Sequence, residues 1–356
     1  MKIEELDKNL RIESKIEREG LHFLNAADAP FSAHGLVRLE DKWVRMPPDS
    51  AKQVSQAVSV LSENTAGGRV RFATDSPYIA IKTVQPLVDP RPQMTLLGQA
   101  GFDLYIDGRF CRSFIPTIWA LNEGGYESVI DLTPEQIGDG GLHTFTINFP
   151  LYHCVDELYV GLKEGSALAQ APDYTVKTPM AFYGSSITQG AFASSPGTCY
   201  QNWLSRWFDA DYLNLGFSGS ALGEDAMAEY IAGLEISAFI YDYDYNSPTY
   251  ETLVETHNKM LRKIRAAHPQ LPIICTSRPR ILVNDEERER RALIKANVDR
   301  LIEEGDQNIV FVSGEELFRL CGDEGTVDYC HPTDLGFYSM ASVLAEALEK
   351  FGFQRK

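Results

Sequence analysis

Three residues in this chain have the types and the spacing for nucleophilic acyl transfer. The apolar run Met180-Ala181-Phe182-Tyr183 ends in Gly184-Ser185-Ser186-Ile187-Thr188-Gln189-Gly190, the pattern by which a buried strand delivers a hydroxyl to the start of a helix. Far downstream, in Asp328-Tyr329-Cys330-His331-Pro332, a carboxylate precedes a histidine by three residues. A serine hydroxyl is a weak nucleophile until a base takes its proton, and the near-neutral pKa of histidine suits that task. A carboxylate beside the ring fixes its tautomer and stabilises the imidazolium. Ser186, His331 and Asp328 are therefore the candidate nucleophile, base and orienting acid. Singly, a Gly-Ser-Ser turn is more often a helix cap and an Asp-x-x-His pair a surface arrangement. It is the joint order and placement of these motifs that points to a site.

The elements that must position them divide the chain. From Met180 onward, apolar strand-like runs at 180–183, 211–215, 236–241, 271–276 and 308–312 alternate with helical patterns near 198–208, 224–234, 249–268, 285–304 and 334–351. Such alternation predicts a parallel sheet covered on both faces. In an open parallel sheet, reactive groups gather where strands end. Ser186 follows the first strand, Gly216-Phe217-Ser218-Gly219 the second and Asp244-Tyr245-Asn246 the third, while Asp328 to His331 precede the last helix. Before about residue 165 the texture differs. Val70–Thr74, Tyr78–Val84, Phe102–Ile106, His143–Phe149 and Leu158–Leu162 alternate between Gly, Pro and Asp-Gly turns, which predicts an antiparallel sandwich. No long amphipathic helix stands out there, although residues 4–19 suggest a short charged one. The division 1–172 and 173–356 follows, with a linker from Ala167 to Pro179 broken by Ala171-Pro172-Asp173 and Thr178-Pro179.

Composition narrows the chemistry. The 356 residues are 44% apolar, enough for a substantial core, and the formal net charge is −17, from 33 basic and 50 acidic side chains. Such a chain repels phosphate backbones and anionic lipid, so nucleic-acid and membrane partners are not expected. No run approaches the roughly 18 apolar residues of a membrane span. The charged start, Met1-Lys2-Ile3-Glu4-Glu5, lacks an apolar signal region, and the six cysteines form no C-x-x-C pair, so a reducing cytoplasm is the expected compartment. A nucleophilic role for Cys199 or Cys330 has no histidine pairing behind it. There is no Walker loop, no G-x-G-x-x-G and no H-E-x-x-H, so neither cofactor nor metal is expected. Trp119 and the tyrosines of the first half offer surfaces for stacking on a sugar ring, but core and loop support is the commoner use.

Together the four blocks resemble the SGNH, or GDSL-type, esterases and lipases. Gly184 to Gly190 looks like their nucleophile block, Asn214-Leu215-Gly216-Phe217-Ser218-Gly219 their glycine block, Asn246 their asparagine and Asp328 to His331 their Asp-x-x-His block. Gly101-Phe102-Asp103-Leu104-Tyr105 resembles the Gly-x-Asp-Leu-Tyr signature of a β-rich module preceding such domains. The resemblance implies a three-layer α/β/α, flavodoxin-like catalytic domain behind a jelly-roll-like all-β sandwich. It also implies an oxyanion site made from the backbone N–H groups of Ser186 and Gly219 and the side-chain amide of Asn246. Gly219 then has a reason to be glycine, in close approach to a carbonyl and an unusual φ. Two positions depart from the pattern: Ser185 stands where the familiar block has aspartate, and Asp244-Tyr245-Asn246-Ser247 replaces Gly-x-Asn-Asp. The expected function is a serine-dependent carboxylic-ester hydrolase removing a small acyl group, acetyl above all, with an acylated carbohydrate as the partner the resemblance implies. An acyltransferase using the same serine, or a retired hydrolase that binds glycan, are the alternatives; a homo-oligomer is compatible with the sequence.

Overall fold

The computed structural model describes residues 6–7, 12, 15–138 and 140–356. In the first half, alternating side chains build twelve short strands among the described residues: β1 (Leu21–Asn25), β2 (Ser32–His34), β3 (Val37–Arg38), β4 (Trp43–Val44), β5 (Arg69–Thr74), β6 (Tyr78–Val84), β7 (Phe102–Ile106), β8 (Arg109–Phe114), β9 (Glu127–Asp131), β10 (His143–Asn148), β11 (Glu157–Lys163) and β12 (Leu168–Ala169). They form two antiparallel sheets, ordered β1-β11-β6-β9 and β12-β5-β10-β7-β8 with β2 on β5, beside a small β3-β4 ladder. Val70, Phe72, Leu104, Phe145 and Ile147 of one sheet meet Ile79, Ile81, Leu158 and Val160 of the other, and all are fully buried. Burying a residue of this size contributes roughly 1.5–3 kcal/mol.

The second half is a five-stranded parallel sheet of β13 (Val176–Gly184), β14 (Ala210–Gly216), β15 (Ala238–Asp242), β16 (Ile273–Thr276) and β17 (Ile309–Val312), ordered β14-β13-β15-β16-β17. Alternate residues of β13 part to opposite faces. Ala181 and Tyr183 pack with Met227, Leu261 and Val298 of the helices at 225–232, 250–267 and 285–303. Met180 and Phe182 pack with Leu204, Phe337 and Leu344 of the helices at 200–208 and 334–350. Numbered within the half, the strand order is 2-1-3-4-5, whose reversal beside the first strand opens a crevice at the strand ends. Among the described residues no helix is long and apolar enough to cross a membrane.

The sequence reading differs from the structure in three places. Five short helices interrupt the first half among the described residues, and the first two, Pro48–Val54 and Gln56–Leu61, run back to back; Ser55, at φ −168°, ends one and caps the other by accepting the Val58 N–H at 3.1 Å. Each is too short to display a helical period, and Met46, Ala51 and Val58 join the core of the second half rather than that of the sandwich. Thr178-Pro179 does not break regular structure: β13 runs through Pro179, with an irregular register between Val176 and Met180 where a missing N–H is tolerated. Half of the charged helix expected over 4–19 lies outside the described residues, and its described end, 15–19, is not helical.

Candidate active site

Three neighbouring strands end in register, Gly184 opposite both Gly216 and Asp242. Ser186, Gly219 and Asn246 follow these positions by two, three and four residues, so the loops that carry them rise side by side. A side chain at Gly184 would lie 2.0 Å from the Asp242 carbonyl oxygen, which demands glycine there. Ser185 explains its own departure from the resemblance: its hydroxyl accepts the Ile187 N–H at 3.1 Å and caps the turn that begins with Ser186. Beneath it, Asp242 is fully buried, and burial pushes its carboxyl up to about 7.

Ser186, His331 and Asp328, 145 residues apart at their widest, form one hydrogen-bonded line. The Ser186 hydroxyl lies 2.9 Å from His331 Nε2, and His331 Nδ1 lies 2.8 Å from Asp328 Oδ2. A carboxylate on Nδ1 keeps the proton there, so Nε2 accepts from the hydroxyl. Asp328 Oδ1 is occupied as well, accepting the backbone N–H groups of His331 at 2.8 Å and Cys330 at 3.1 Å. Burial opposes ionisation of Asp328, but these N–H groups and the imidazole outweigh it and hold the carboxyl below its ordinary range. The loop closes tightly, with Val327 N–H on the His331 carbonyl at 2.8 Å and Tyr329 at φ +66°. The ring of Phe192, itself at φ +71°, packs 4.6 Å from that of His331. Cys330 is no rival nucleophile, because burial pushes its thiol up to about 11.

The glycine and asparagine loops meet each other. Asn246 Nδ2 donates to the Phe217 carbonyl at 2.8 Å, which fixes the amide orientation and leaves a second N–H. Gly219 adopts φ +67°, the unusual conformation expected of it, and no protein atom lies within 4 Å of where a side chain would begin. Among the described residues, the backbone N–H groups of Ser186 and Gly219 have no partner. Ser218, not Gly219 or Asn246, shares the lining of the cleft with Ser186 and His331.

The acidic third block has a structural role. Asp244 is fully buried between Arg278, at 3.1 Å, and Arg290, at 2.9 Å. Arg290 also donates to the Ser247 carbonyl at 2.8 Å, and Arg280 joins Glu287 to the Tyr329 carbonyl, so one ion network holds the Asn246 and His331 loops together. Burial opposes the charge of Asp244, but the two guanidiniums overcome it and lower its pKa. Asp244→Ala leaves the buried Arg290 with only its longer 3.6 Å contact to the exposed Glu286, and should lower the unfolding free energy by about 3 kcal/mol in denaturant titration. Because the folded pKa is the lower one, this contribution is present above the unfolded value and lost as pH falls through the folded one. The stability of the variant should fall less steeply with acid.

Two contributors escaped the sequence reading. Gln189 is fully buried; its Oε1 accepts the Ser218 N–H at 3.0 Å, and its Nε2 donates to Asn64 Oδ1 and the Leu151 carbonyl, each at 3.2 Å. Tyr152, from the loop after β10, donates to the carbonyl of Ser186 itself at 3.2 Å. The sandwich half thus grips the Ser186 turn, and it walls a cleft of about 530 Å³ with Asn64, Leu87, Arg91 and Met94 opposite Ser186. Trp119, 75% exposed, takes no part in that wall. The Gly-x-Asp-Leu-Tyr signature has a mechanical meaning. Leu104 points into the sandwich core, while Asp103 accepts the Gly197 N–H at 2.6 Å and Tyr105 donates to the Gly197 carbonyl at 3.3 Å, stitching the halves together.

A parallel sheet in this order, with serine, histidine and carboxylate on adjoining loops and an antiparallel sandwich in front, defines an SGNH-type esterase. Residues 177–349 match the GDSL-like lipase/acylhydrolase family, and residues 21–168 match the N-terminal module of SGNH-hydrolase-type esterases. The catalytic half belongs to the former family and the sandwich half to the latter. Over 93% of this chain and 97% of the other, the fold resembles a protein described as a GDSL-like lipase from Bacteroides ovatus, at 28% identity and a TM-score of 0.81. A salicylyl-acyltransferase from a tetracycline biosynthetic pathway is 19% identical over 94% and 99% of the two chains, with a TM-score of 0.74. An acetyl xylan esterase from Butyrivibrio proteoclasticus is 15% identical over 94% and 99%, with a TM-score of 0.59. The last two likenesses are of fold. No functionally curated protein matches the chain.

Proposed function

We propose that this esterase removes a small acyl group, acetyl above all, from a carbohydrate or similarly hydroxylated alcohol through an acyl-enzyme on Ser186. The observation that carries the reading is the continuous line from the Ser186 hydroxyl through His331 to Asp328, at 2.9 and 2.8 Å. His331 takes the serine proton as the hydroxyl attacks the ester carbonyl, then returns it to the leaving alcohol. Water, activated by the same ring, releases the acid. The free N–H groups of Ser186 and Gly219, with the second N–H of Asn246, are the donors available to the tetrahedral oxyanion, each contributing about 3 kcal/mol to lowering the barrier. Asn64 and Arg91 give the cleft wall polar groups suited to hydroxyls. The six free cysteines support a reducing compartment.

Asn246→Ala should lower kcat by about 10²–10³ with a smaller change in KM. An unaltered kcat removes Asn246 from the oxyanion site. For the substrate class, nitrophenyl esters from acetate to octanoate and then acetylated sugars are compared by kcat/KM. A fall with chain length and turnover of an acetylated sugar are expected; preference for octanoate overturns the small-acyl reading. Product analysis with added alcohols separates hydrolysis from transfer.

A further inference from the structure

A cleft of about 730 Å³ lies between the two halves and shares no lining residue with the cleft over Ser186. Its floor is the outward face of the β5-β10-β7 sheet. Arg71, Thr146 and Tyr105 stand in one register row across the three strands, with Arg69, Asn148 and Asp103 in the next. Tyr174 and Arg206 close it from the other half.

The charges of this cleft do not balance. Each carboxylate lining it is already matched: Asp107 by the His143 ring at 2.7 Å, Asp173 by Lys177 at 2.7 Å and Asp209 by Lys356 at 2.7 Å. Arg69 pairs with Asp211, and Asp103 has both oxygens taken, by Asn148 and by the Gly197 N–H. Arg71 has no ion-pair partner: the carboxylate whose charge it stabilises, Asp173, is held by Lys177. Only 7% exposed, Arg71 makes no hydrogen bond or ion pair among the described residues; its Nε and Nη1 are covered, and the Tyr174 ring lies 3.9 Å from the guanidinium carbon. Arg206 lies over the Tyr105 ring at 4.5 Å and donates Nη1 to the Gly197 carbonyl, leaving Nη2 buried and unmatched. Asn148, 2% exposed, holds its Oδ1 there without a donor.

An unmatched buried donor is costly, and more so when it is charged. A guanidinium fork is the side chain best shaped to take a carboxylate or phosphate in two parallel bonds. From these residues we propose that the cleft binds a small hydroxylated anion: its oxyanion sits on Arg71 and Arg206, and one of its hydroxyls donates to Asn148 Oδ1. The volume falls within the roughly 300–1,000 Å³ of small-molecule sites. The proposal does not rest on the catalytic reading, since none of these groups lines the cleft over Ser186.

The test is calorimetric titration and thermal melting of the full chain with glucuronate, glucose 6-phosphate, inorganic phosphate and glucose. Saturable binding and a raised Tm are expected with at least one anion, and not with glucose. Uronate against phosphate identifies which oxyanion the cleft takes. Ser186→Ala should bind as the parent does. Arg71→Met, which keeps the stem against Tyr174, should weaken binding at least tenfold while melting no lower without ligand. Thr146→Asp, which sets a carboxylate opposite Arg71 in the cross-strand position, should abolish binding. The proposal is overturned if no anion binds into the tens of millimolar, if glucose binds equally well, or if Arg71→Met binds like the parent. Retained binding in Thr146→Asp overturns it even where Arg71→Met fails to fold.

Discussion

Ser186→Ala should fold as the parent does and lose kcat by about 10⁶, the scale on which a triad nucleophile is missed. The fold survives because the hydroxyl supports nothing but His331: the turn is capped by Ser185, and Tyr152 holds the backbone carbonyl of residue 186, not its side chain. Activity does not survive because, among the described residues, no other hydroxyl or thiol hydrogen-bonds the imidazole. Turnover of nitrophenyl acetate, with melting temperature alongside, checks both halves of the claim. A fluorophosphonate label should mark the parent at this residue and leave the variant unlabelled. Normal turnover in the variant would falsify the acyl-enzyme mechanism.

His331→Ala should be nearly as damaging, but Asp328→Asn is the more telling second experiment. In the parent, one carboxylate oxygen accepts two backbone N–H groups and the other accepts the ring N–H. An asparagine has a single acceptor oxygen. If the two backbone donors keep it, the NH₂ group faces His331 Nδ1, which must then give up its proton. The proton moves to Nε2, where it confronts the serine hydroxyl, and the base is lost. A fall of about 10⁴ in kcat is expected, the scale on which a wrong tautomer costs a serine hydrolase. The NMR signals of the ring nitrogens should report the exchanged tautomer. Near-normal kcat would mean that another group orients the ring.

How much of this was legible beforehand follows from the range of the interactions. The parallel sheet was, because each strand and helix of the second half carries its own period: the expected helix at 285–304 is found at Asp285–Glu303 and the expected strand at 308–312 at Ile309–Val312. Ser186, His331 and Asp328 were legible as residue types at the ends of such elements. What the sequence hides is pairing between distant segments. Nothing beside Gln189 says that its amide will bridge Asn64 to Ser218. The alternation of Asp103 and Tyr105 reads as an ordinary solvent-facing side of a strand, yet every residue of β7 is buried, because a second body covers that side. The same cover explains why β5 carries two arginines and still shows no exposed position. The acidic residue at 244 looked like a disturbance of the asparagine block; Arg278 and Arg290, 34 and 46 positions away, make it the block's anchor.

The contact of Asp103 with Gly197 reaches further than its own two hydrogen-bonded atoms. Ser194 and Thr198, on either side of that glycine, both donate to Asp334, which opens the helix immediately after the histidine loop. A tug on the sandwich is therefore transmitted, through one short loop, to the root of the imidazole. The two halves are not interchangeable cassettes. Transplanting this sandwich onto another hydrolase carries over the alignment only if the segment from 194 to 198 travels with it, and placing this hydrolase behind another sandwich does so only if that sandwich offers an acceptor where Asp103 stands.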